Sequence, residues 1–243
     1  MLSLLFKEIN SFLDSLIGYM VVVVFLAVIS LFLWVFPGSL NVFDSGFASI
    51  DSLFVITPWV YMFLIPAITM RQIAEEKKNG TLELLLTRPL TEMQIILAKY
   101  FSGVILVLIS LIPTLIYYLC IYLLSFPVGN VDSGAVWGSY IGLVFLGGAF
   151  VSIGLFASSL TDNQVVSFVI AMFFCLLSYT GIEAITSFAG LGNTGYLINQ
   201  LGISAHYDSM GRGVIDTRDV IYFLSFISFF LLLTRINLES RKW

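Results

Sequence analysis

The sequence predicts an all-α integral membrane protein with six transmembrane helices. Only 11% of its 243 residues are charged and 59% are hydrophobic, whereas a water-soluble domain carries about 25% charged residues. A membrane-spanning helix needs about 20 mostly apolar residues, with a range of about 17 to 25. Six segments contain no Asp, Glu, Lys or Arg: 15–43, 52–70, 100–131, 133–161, 163–182 and 220–234. Five of the six reach the required length.

The sixth segment has only 15 uncharged residues. Its helix continues through Arg235, because a long basic side chain reaches the membrane interface while its stem stays in the apolar layer. The whole chain, residues 1–243, then forms one transmembrane domain. Its six spans are predicted at about 18–36, 53–72, 100–126, 136–159, 164–184 and 220–236.

An amphipathic helix precedes the first span, at about residues 2–16. Apolar residues recur at spacings of three and four, which is typical of one face of a helix. They are Leu2, Leu5, Phe6, Ile9, Phe12, Leu13 and Leu16. Charged and polar residues occupy the other face, so we expect this helix to lie in the membrane interface.

The basic residues predict the orientation of the chain. Lys and Arg concentrate in cytoplasmic loops. With the N-terminus inside, the cytoplasmic segments hold nine of the eleven basic residues, and the outer segments keep only Arg212 and Arg218. Both termini and the loop between the second and third spans are therefore predicted to be cytoplasmic.

That cytoplasmic loop carries an unusual concentration of charge. Residues 75–99 hold eight charged side chains, of 11 basic and 15 acidic residues in the whole chain. Asn79 and Gly80 predict the end of a helix, and Thr81 is a suitable N-cap for the next one. This short helix, at about 81–88, ends before Pro89 because a proline disfavours helical geometry in the residue that precedes it.

The third helix is predicted to begin inside the cytoplasm. Thr91 and Gln94 have the spacing of a capping box, and Pro113 is expected to kink the helix within the membrane. An ordinary polar loop would explain the basic residues of this region, but not four acidic residues and two helix caps. We therefore interpret the short helix as a rigid docking surface for a soluble partner.

The loop before the last span is the longest outer loop. Residues 185–218 are too polar for a span and too apolar for a free loop. Because unsatisfied backbone is costly in lipid, a re-entrant or interfacial segment is expected there. In the fourth span, Gly138 and Gly142 form a G-x-x-x-G pattern that favours close helix packing, by default within the chain.

Other classes of protein have little support. The net charge of -4 gives no basic surface for nucleic acid, and no phosphate-binding G-x-x-x-x-G-K-[ST] motif is present. An ion-coupled secondary carrier would bury acids in its spans, yet only Glu183 lies near one. An intramembrane enzyme would need a site such as His206 with Ser204 and Asp208, but residues so close in sequence rarely form a triad.

Two segments resemble a known family. "EEKKNGTLELLLTRPL" (75–90) is similar to the coupling-helix segment of ABC-2 type transporter permeases, which seats in the ATP-binding subunit. The resemblance implies a docking site at Glu75, Glu76, Gly80, Thr81, Glu83, Leu84 and Pro89. "HYDSMGRGVIDTRDVIYF" (206–223) resembles the outer segment of the family, and most closely that of the gliding-motility ABC transporter permeases. The implied outer residues are His206, Asp208, Gly213 and Asp216.

The resemblance implies a permease subunit of an ATP-binding-cassette exporter in a bacterial inner membrane. A separate ATPase subunit would bind and hydrolyse the ATP, so the chain itself would need no cofactor, metal or catalytic residue. Six spans are half of the usual pathway in this family. A second permease subunit, identical or related, is therefore an expected partner, together with membrane lipid.

Overall fold

The computed structural model of the protein describes residues 1–86, 91–188 and 200–240. All regular secondary structure in these residues is helical. Six stretches within them are long and apolar enough to cross a membrane: Gly18–Val35, Asp51–Lys78, Glu92–Leu124, Ser133–Leu160, Gln164–Thr186 and Thr217–Glu239. The predicted all-α class with six transmembrane helices is confirmed.

The α-helices of the described residues are numbered here in chain order. They are α1 Leu2–Leu13, α2 Leu16–Ser30, α3 Asp51–Thr69, α4 Ala74–Lys78, α5 Thr81–Leu86, α6 Glu92–Leu111, α7 Leu115–Leu124, α8 Ser133–Leu160, α9 Gln164–Phe188, α10 Ile203–Gly211 and α11 Thr217–Glu239. Two short elements interrupt the spans: a π-helical turn, Leu31–Val35, and a 3₁₀ turn, Ile112–Thr114.

The N-terminal helix α1 is amphipathic and packs against α6. Leu4 and Ile9 are buried on its inner face, while Leu2 and Phe6 are 69% and 60% exposed. The side chain of Ser15 accepts a hydrogen bond from the Gly18 amide at 3.1 Å and caps α2. An apolar face that points away from the protein is expected of a helix in the membrane interface.

The α-helix of the third span is interrupted at Pro113, the residue where the sequence predicts a kink. The Thr91 amide donates to Gln94 Oε1 at 3.2 Å and the Gln94 amide donates to Thr91 Oγ1 at 3.4 Å, which completes the capping box at the start of α6. The α-helix then gives way to the 3₁₀ turn at Pro113, because proline has no amide hydrogen to donate to the preceding turn.

Helix α8 lies at the centre of the molecule and packs against α3, α6, α9, α10 and α11. It carries no charged residue and many small ones. A Cβ atom on Gly138 would lie 2.5 Å from the carbonyl oxygen of Met210, so glycine is what allows α10 to approach this closely. The G-x-x-x-G pattern thus serves packing within the chain.

The ends of the spans form two faces. The face that we call the N-terminal face carries α1, α4, α5 and the start of α6, and the opposite face carries α10. Of the segment predicted to be re-entrant, residues 189–199 lie outside the described residues. The remainder includes α10, a helix of nine residues that packs against α8, α9 and α11.

Candidate functional site

The N-terminal face presents α5 on a fixed turn. Gly80 has a φ of 68°, a conformation that glycine adopts without strain, and it separates α4 from α5. The hydroxyl of Thr81 donates to the Glu76 carbonyl oxygen at 3.3 Å across this turn. Leu82 is buried beneath the helix, and Glu83 is exposed in its first turn. A negative charge there is favourable for the helix dipole.

The predicted docking residues do not all point the same way. Glu75 forms a helical ion pair with Arg71, with Oε2 and Nε 3.2 Å apart. Glu76 instead turns toward the protein interior and is only 13% exposed. The side chain of Leu84, and Pro89 altogether, lie outside the described residues. Of the predicted set, Thr81 and Glu83 are thus the exposed side chains that the structure describes on α5.

A buried lysine receives the Glu76 side chain. Lys99 of α6 is 1% exposed, and its ammonium lies 2.9 Å from Glu76 Oε2 and 3.1 Å from Glu8 Oε1. It also donates to the Gln72 carbonyl oxygen at 2.6 Å. A buried charge is tolerated when it is paired and hydrogen-bonded. We call Lys7, Glu8, Glu76 and Lys99 the charged cluster, since Lys7 Nζ lies 3.6 Å from both glutamates.

The charged cluster joins three parts of the chain that are distant in sequence. Glu8 belongs to α1, Glu76 to α4 and Lys99 to α6. A cavity of about 420 Å³ opens beside it between α1 and the end of α3. Sequence reasoning assigned Glu76 to the docking surface and Lys99 to the cytoplasmic loop. The contact of Glu8 with Lys99 depends on how α1 packs against α6, and no local signal in the sequence indicates it.

Helix α8, at the centre of the molecule, also contacts α4. The hydroxyl oxygen of Ser158, near the end of α8, accepts from the Ile73 and Ala74 amides at 3.1 and 3.0 Å. Amides in the first turn of a helix have no partner within the helix, so Ser158 acts as a cap supplied by another helix. The Ser159 carbonyl oxygen accepts from Asn237 of α11 at 2.6 Å and contacts the Lys77 ammonium. These contacts tie α4 to α8 and α11.

On the opposite face, His206 pairs with a residue that sequence reasoning did not select. Its Nδ1 lies 2.6 Å from Asp219 Oδ1, and its ring stacks on Tyr222 at 3.9 Å between centroids. Asp219 is 4% exposed. The carboxylate orients the imidazole toward α11, away from any role with Ser204. The pair therefore joins α10 to α11.

The other predicted outer residues have separate roles. Gly213 turns the chain with a φ of 81°, and Asp216 accepts a hydrogen bond from the Arg218 amide at 2.9 Å and caps α11. Asp208 lies at a cavity between α3, α9 and α10. Partial loss of water and the negative charge of Glu183 raise the pKa of Asp208, and Arg212 opposes this rise.

The chain matches a known protein family. The model of a family described as ABC-2 family transporter protein matches residues 43–236. This range includes α3 to α10, the docking segment and most of α11. No curated protein sequence matches the chain.

Proposed function

Because the chain belongs to the ABC-2 transporter family, we propose that it is the permease subunit of an exporter driven by a separate ATP-binding-cassette ATPase. It is a multi-pass membrane component of such a transporter. In the proposed complex the N-terminal face is cytoplasmic and α5 seats in the ATPase, in a bacterial inner membrane. The ATPase binds and hydrolyses the ATP, and the permease moves the substrate.

The observation that carries this proposal is the way the docking segment is held. A segment that couples ATP hydrolysis to transport must transmit a displacement, so it has to be rigid and in contact with the helices that it moves. α4 is tied to α1 and α6 through the charged cluster and to α8 through Ser158. α5 follows it after a single tight turn and exposes Thr81 and Glu83. A force applied to α5 would therefore be transmitted through α4 to the central helix α8.

A second permease subunit, identical or related, completes the proposed pathway. Most of the surface of α2, α9 and α11 is exposed in the single chain, whereas α3 and α8 are largely buried. Such apolar exposed helices need lipid or a partner helix around them. We propose that part of this surface contacts the second permease and the rest contacts lipid.

A role in gliding motility is proposed as the physiological setting. It rests on the likeness of residues 206–223 to the permeases of gliding-motility transporters. An ion-coupled carrier and an intramembrane enzyme have weaker support. Glu183 is exposed at one end of α9, and His206 pairs with Asp219 instead of a nucleophile.

The test is whether the docking segment couples the chain to an ATPase. The chain is purified together with a candidate ATP-binding-cassette ATPase, and ATP hydrolysis by the complex is measured. Glu83→Lys keeps α5 helical but reverses its exposed charge and opposes the dipole. Leu84→Pro breaks α5 at a cost of about 3 kcal/mol. Both variants are expected to insert normally and to lose stimulated ATP hydrolysis, and Leu84→Pro is expected to lose co-purification as well.

The control is Val214→Lys, an exposed position on the opposite face. It also introduces a lysine, but far from α5, and is expected to change neither binding nor ATP hydrolysis. Full ATPase binding and transport by both docking variants would show that α5 does not couple the chain to an ATPase. Transport that follows an ion gradient, without any ATPase in the complex, would support the secondary carrier.

A further inference from the structure

The cavity at Asp208 lies on the opposite face and is bounded by four helices. Its volume is about 430 Å³, which is the size of a site for a small ligand. α3, α8, α9 and α10 all contribute to its wall. None of the residues proposed for ATPase docking lies there, so the cavity is a separate feature of the chain.

Aromatic side chains form part of this wall in fixed positions. Trp59 of α3 and Tyr179 of α9 meet edge to face, with ring centroids 6.2 Å apart. Tyr207 of α10 donates its hydroxyl hydrogen to the Phe54 carbonyl oxygen at 2.8 Å and is 6% exposed. Aromatic faces attract cations through the electron density of the ring.

The charged side chains that line the cavity form no ion pairs with one another in the described residues. Asp51, Glu183 and Asp208 face a single guanidinium, that of Arg212. In the part of the chain that the structure describes, none of these four side chains forms an ion pair. The cavity therefore carries more negative than positive charge. Its carboxylates and its guanidinium are all available to bind a ligand.

Two serines in the same wall have hydroxyls without a hydrogen-bond partner among the described residues. Ser139 and Ser204 are 5% and 8% exposed, and both line the cavity. Within residues 1–86, 91–188 and 200–240, neither hydroxyl makes a hydrogen bond, whereas the buried Ser110 and Ser152 each bond to a carbonyl oxygen of their own helix. Neither hydroxyl oxygen is fully enclosed, so both can bond to water or to a polar group that enters the cavity.

We propose that this cavity binds a zwitterionic group that carries a primary ammonium and an anionic phosphate. The ammonium donates hydrogen bonds to the seryl hydroxyls and to the carboxylates of Glu183 and Asp208. The carbon chain of the ligand lies against Trp59, and the phosphate meets Arg212 at the mouth. A primary ammonium fits better than a quaternary one, because only the primary group has hydrogens to donate to the hydroxyls.

This chemistry occurs in a free solute and in the headgroup of an ethanolamine phospholipid. The experiment uses the full chain in nanodiscs of phosphatidylcholine, without ATP or an ATPase subunit, so that its outcome is independent of the proposed coupling. O-phosphoethanolamine is titrated while tryptophan fluorescence and the heat of binding are recorded, and phosphocholine is titrated in parallel. In a second arm, thermal stability is compared between nanodiscs with and without phosphatidylethanolamine.

Saturable binding of O-phosphoethanolamine, at least tenfold tighter than that of phosphocholine, is the expected result. Stabilisation by phosphatidylethanolamine alone would also support the site and would identify a lipid as the source. Glu183→Gln is expected to weaken either effect at least tenfold, and Asp162→Asn, an exposed acid on the N-terminal face, is expected to leave it unchanged. The proposal is overturned if neither probe acts on the native chain, if both headgroups bind equally, or if Glu183→Gln has no effect.

Discussion

The ammonium of Lys99 lies 2.9 Å from the Glu76 carboxylate, and the lysine side chain is only 1% exposed. This contact joins the start of a transmembrane helix to the segment that precedes α5. Glu8 completes it from α1 at 3.1 Å. An ion pair at this depth is more than a surface charge contact, because the removal of one partner leaves a buried charge uncompensated.

We predict that Lys99→Met destabilises the protein severely, by about 3–5 kcal/mol. The methionine fills much of the same volume, but it leaves the two glutamates with only the exposed Lys7 of the charged cluster as a partner. Thermal unfolding in detergent measures the effect. Lys78→Met, an exposed lysine of α4, is the matched control and is expected to be close to neutral.

A double variant distinguishes the loss of the ion pair from the loss of packing around the Lys99 side chain. In Lys99→Met combined with Glu76→Gln, one of the unpaired carboxylates is neutral, so part of the lost stability is expected to return. If the double variant melts below the single one, packing around the lysine stem, and not charge compensation, determines stability here.

Ser158 gives a second prediction for the docking segment. Ser158→Ala removes the acceptor of the Ile73 and Ala74 amides, and buried amides without a partner cost about 1–3 kcal/mol. We expect faster hydrogen exchange in α4, measured by mass spectrometry, together with a lower melting temperature. Ser225→Ala removes a hydroxyl that is exposed and bonds only within its own helix. Equal exchange in the two variants would refute the capping role.

The spans of this protein are predictable because each is a long uncharged segment bounded by charges. A lipid environment imposes that pattern directly on the sequence. Helix ends are predictable where a local signal exists, as at Gly80 and the Thr91 capping box. These features depend on residues within one or two turns of one another.

The contacts between helices could not be predicted in the same way. Lys99 looks like any basic residue at the end of a span until the position of α1 is known. The sequence places His206 near Ser204 and Asp208, yet its partner is Asp219, because α10 packs beside the start of α11. Such pairings depend on how the helices pack, and a single sequence does not record that.

The pair formed by His206 and Asp219 is expected to contribute to stability as a unit. We predict that a double-mutant cycle of His206→Ala and Asp219→Ala gives a coupling energy of about 0.5–3 kcal/mol, as for other contacting pairs. Asp219 is almost completely buried, so each single variant leaves a polar group without its partner. Unfolding in mixed micelles provides the free energies.

The pair formed by Arg235 and Glu239 is the control for this cycle. Its side chains are 47% and 44% exposed, and exposed ion pairs contribute only about 0–1 kcal/mol. A coupling energy for His206 and Asp219 no larger than that of the exposed pair would mean that the short contact does not hold α10 to α11.

Asp208 predicts a dependence of stability on pH. Its pKa is raised in the folded protein, so this carboxyl ionises less readily there than in the unfolded chain. The folded protein therefore loses stability as the pH rises through the folded pKa. Asp208→Asn removes that loss. We expect the variant to melt higher than the native protein at about pH 8 and equally at about pH 2.5, well below the ordinary aspartic acid pKa of about 3.9, where the carboxyl is largely protonated in both states.

The charges that face Asp208 are those of Glu183, Arg212 and Asp51. Asp162→Asn, at an exposed acid far from this cavity, is expected to show no such difference between the two pH values. A native protein that is more stable than Asp208→Asn at the higher pH would mean that Arg212 lowers the pKa more than Glu183 and partial burial raise it.

The last prediction concerns the orientation of the chain, on which the docking proposal depends. Lys78 and Asn163 are exposed on the N-terminal face, and Asn130 is exposed on the opposite face. If the basic residues orient the protein, a cysteine at Asn130 reacts with an impermeant maleimide in intact cells. Cysteines at Lys78 and Asn163 react only after the membrane is permeabilised. The native cysteines are half-buried or buried, so the unsubstituted protein provides the background. External labelling at Lys78 and Asn163 would place α5 outside the cell, where no ATPase has ATP to hydrolyse, and the coupling proposal would have to be abandoned.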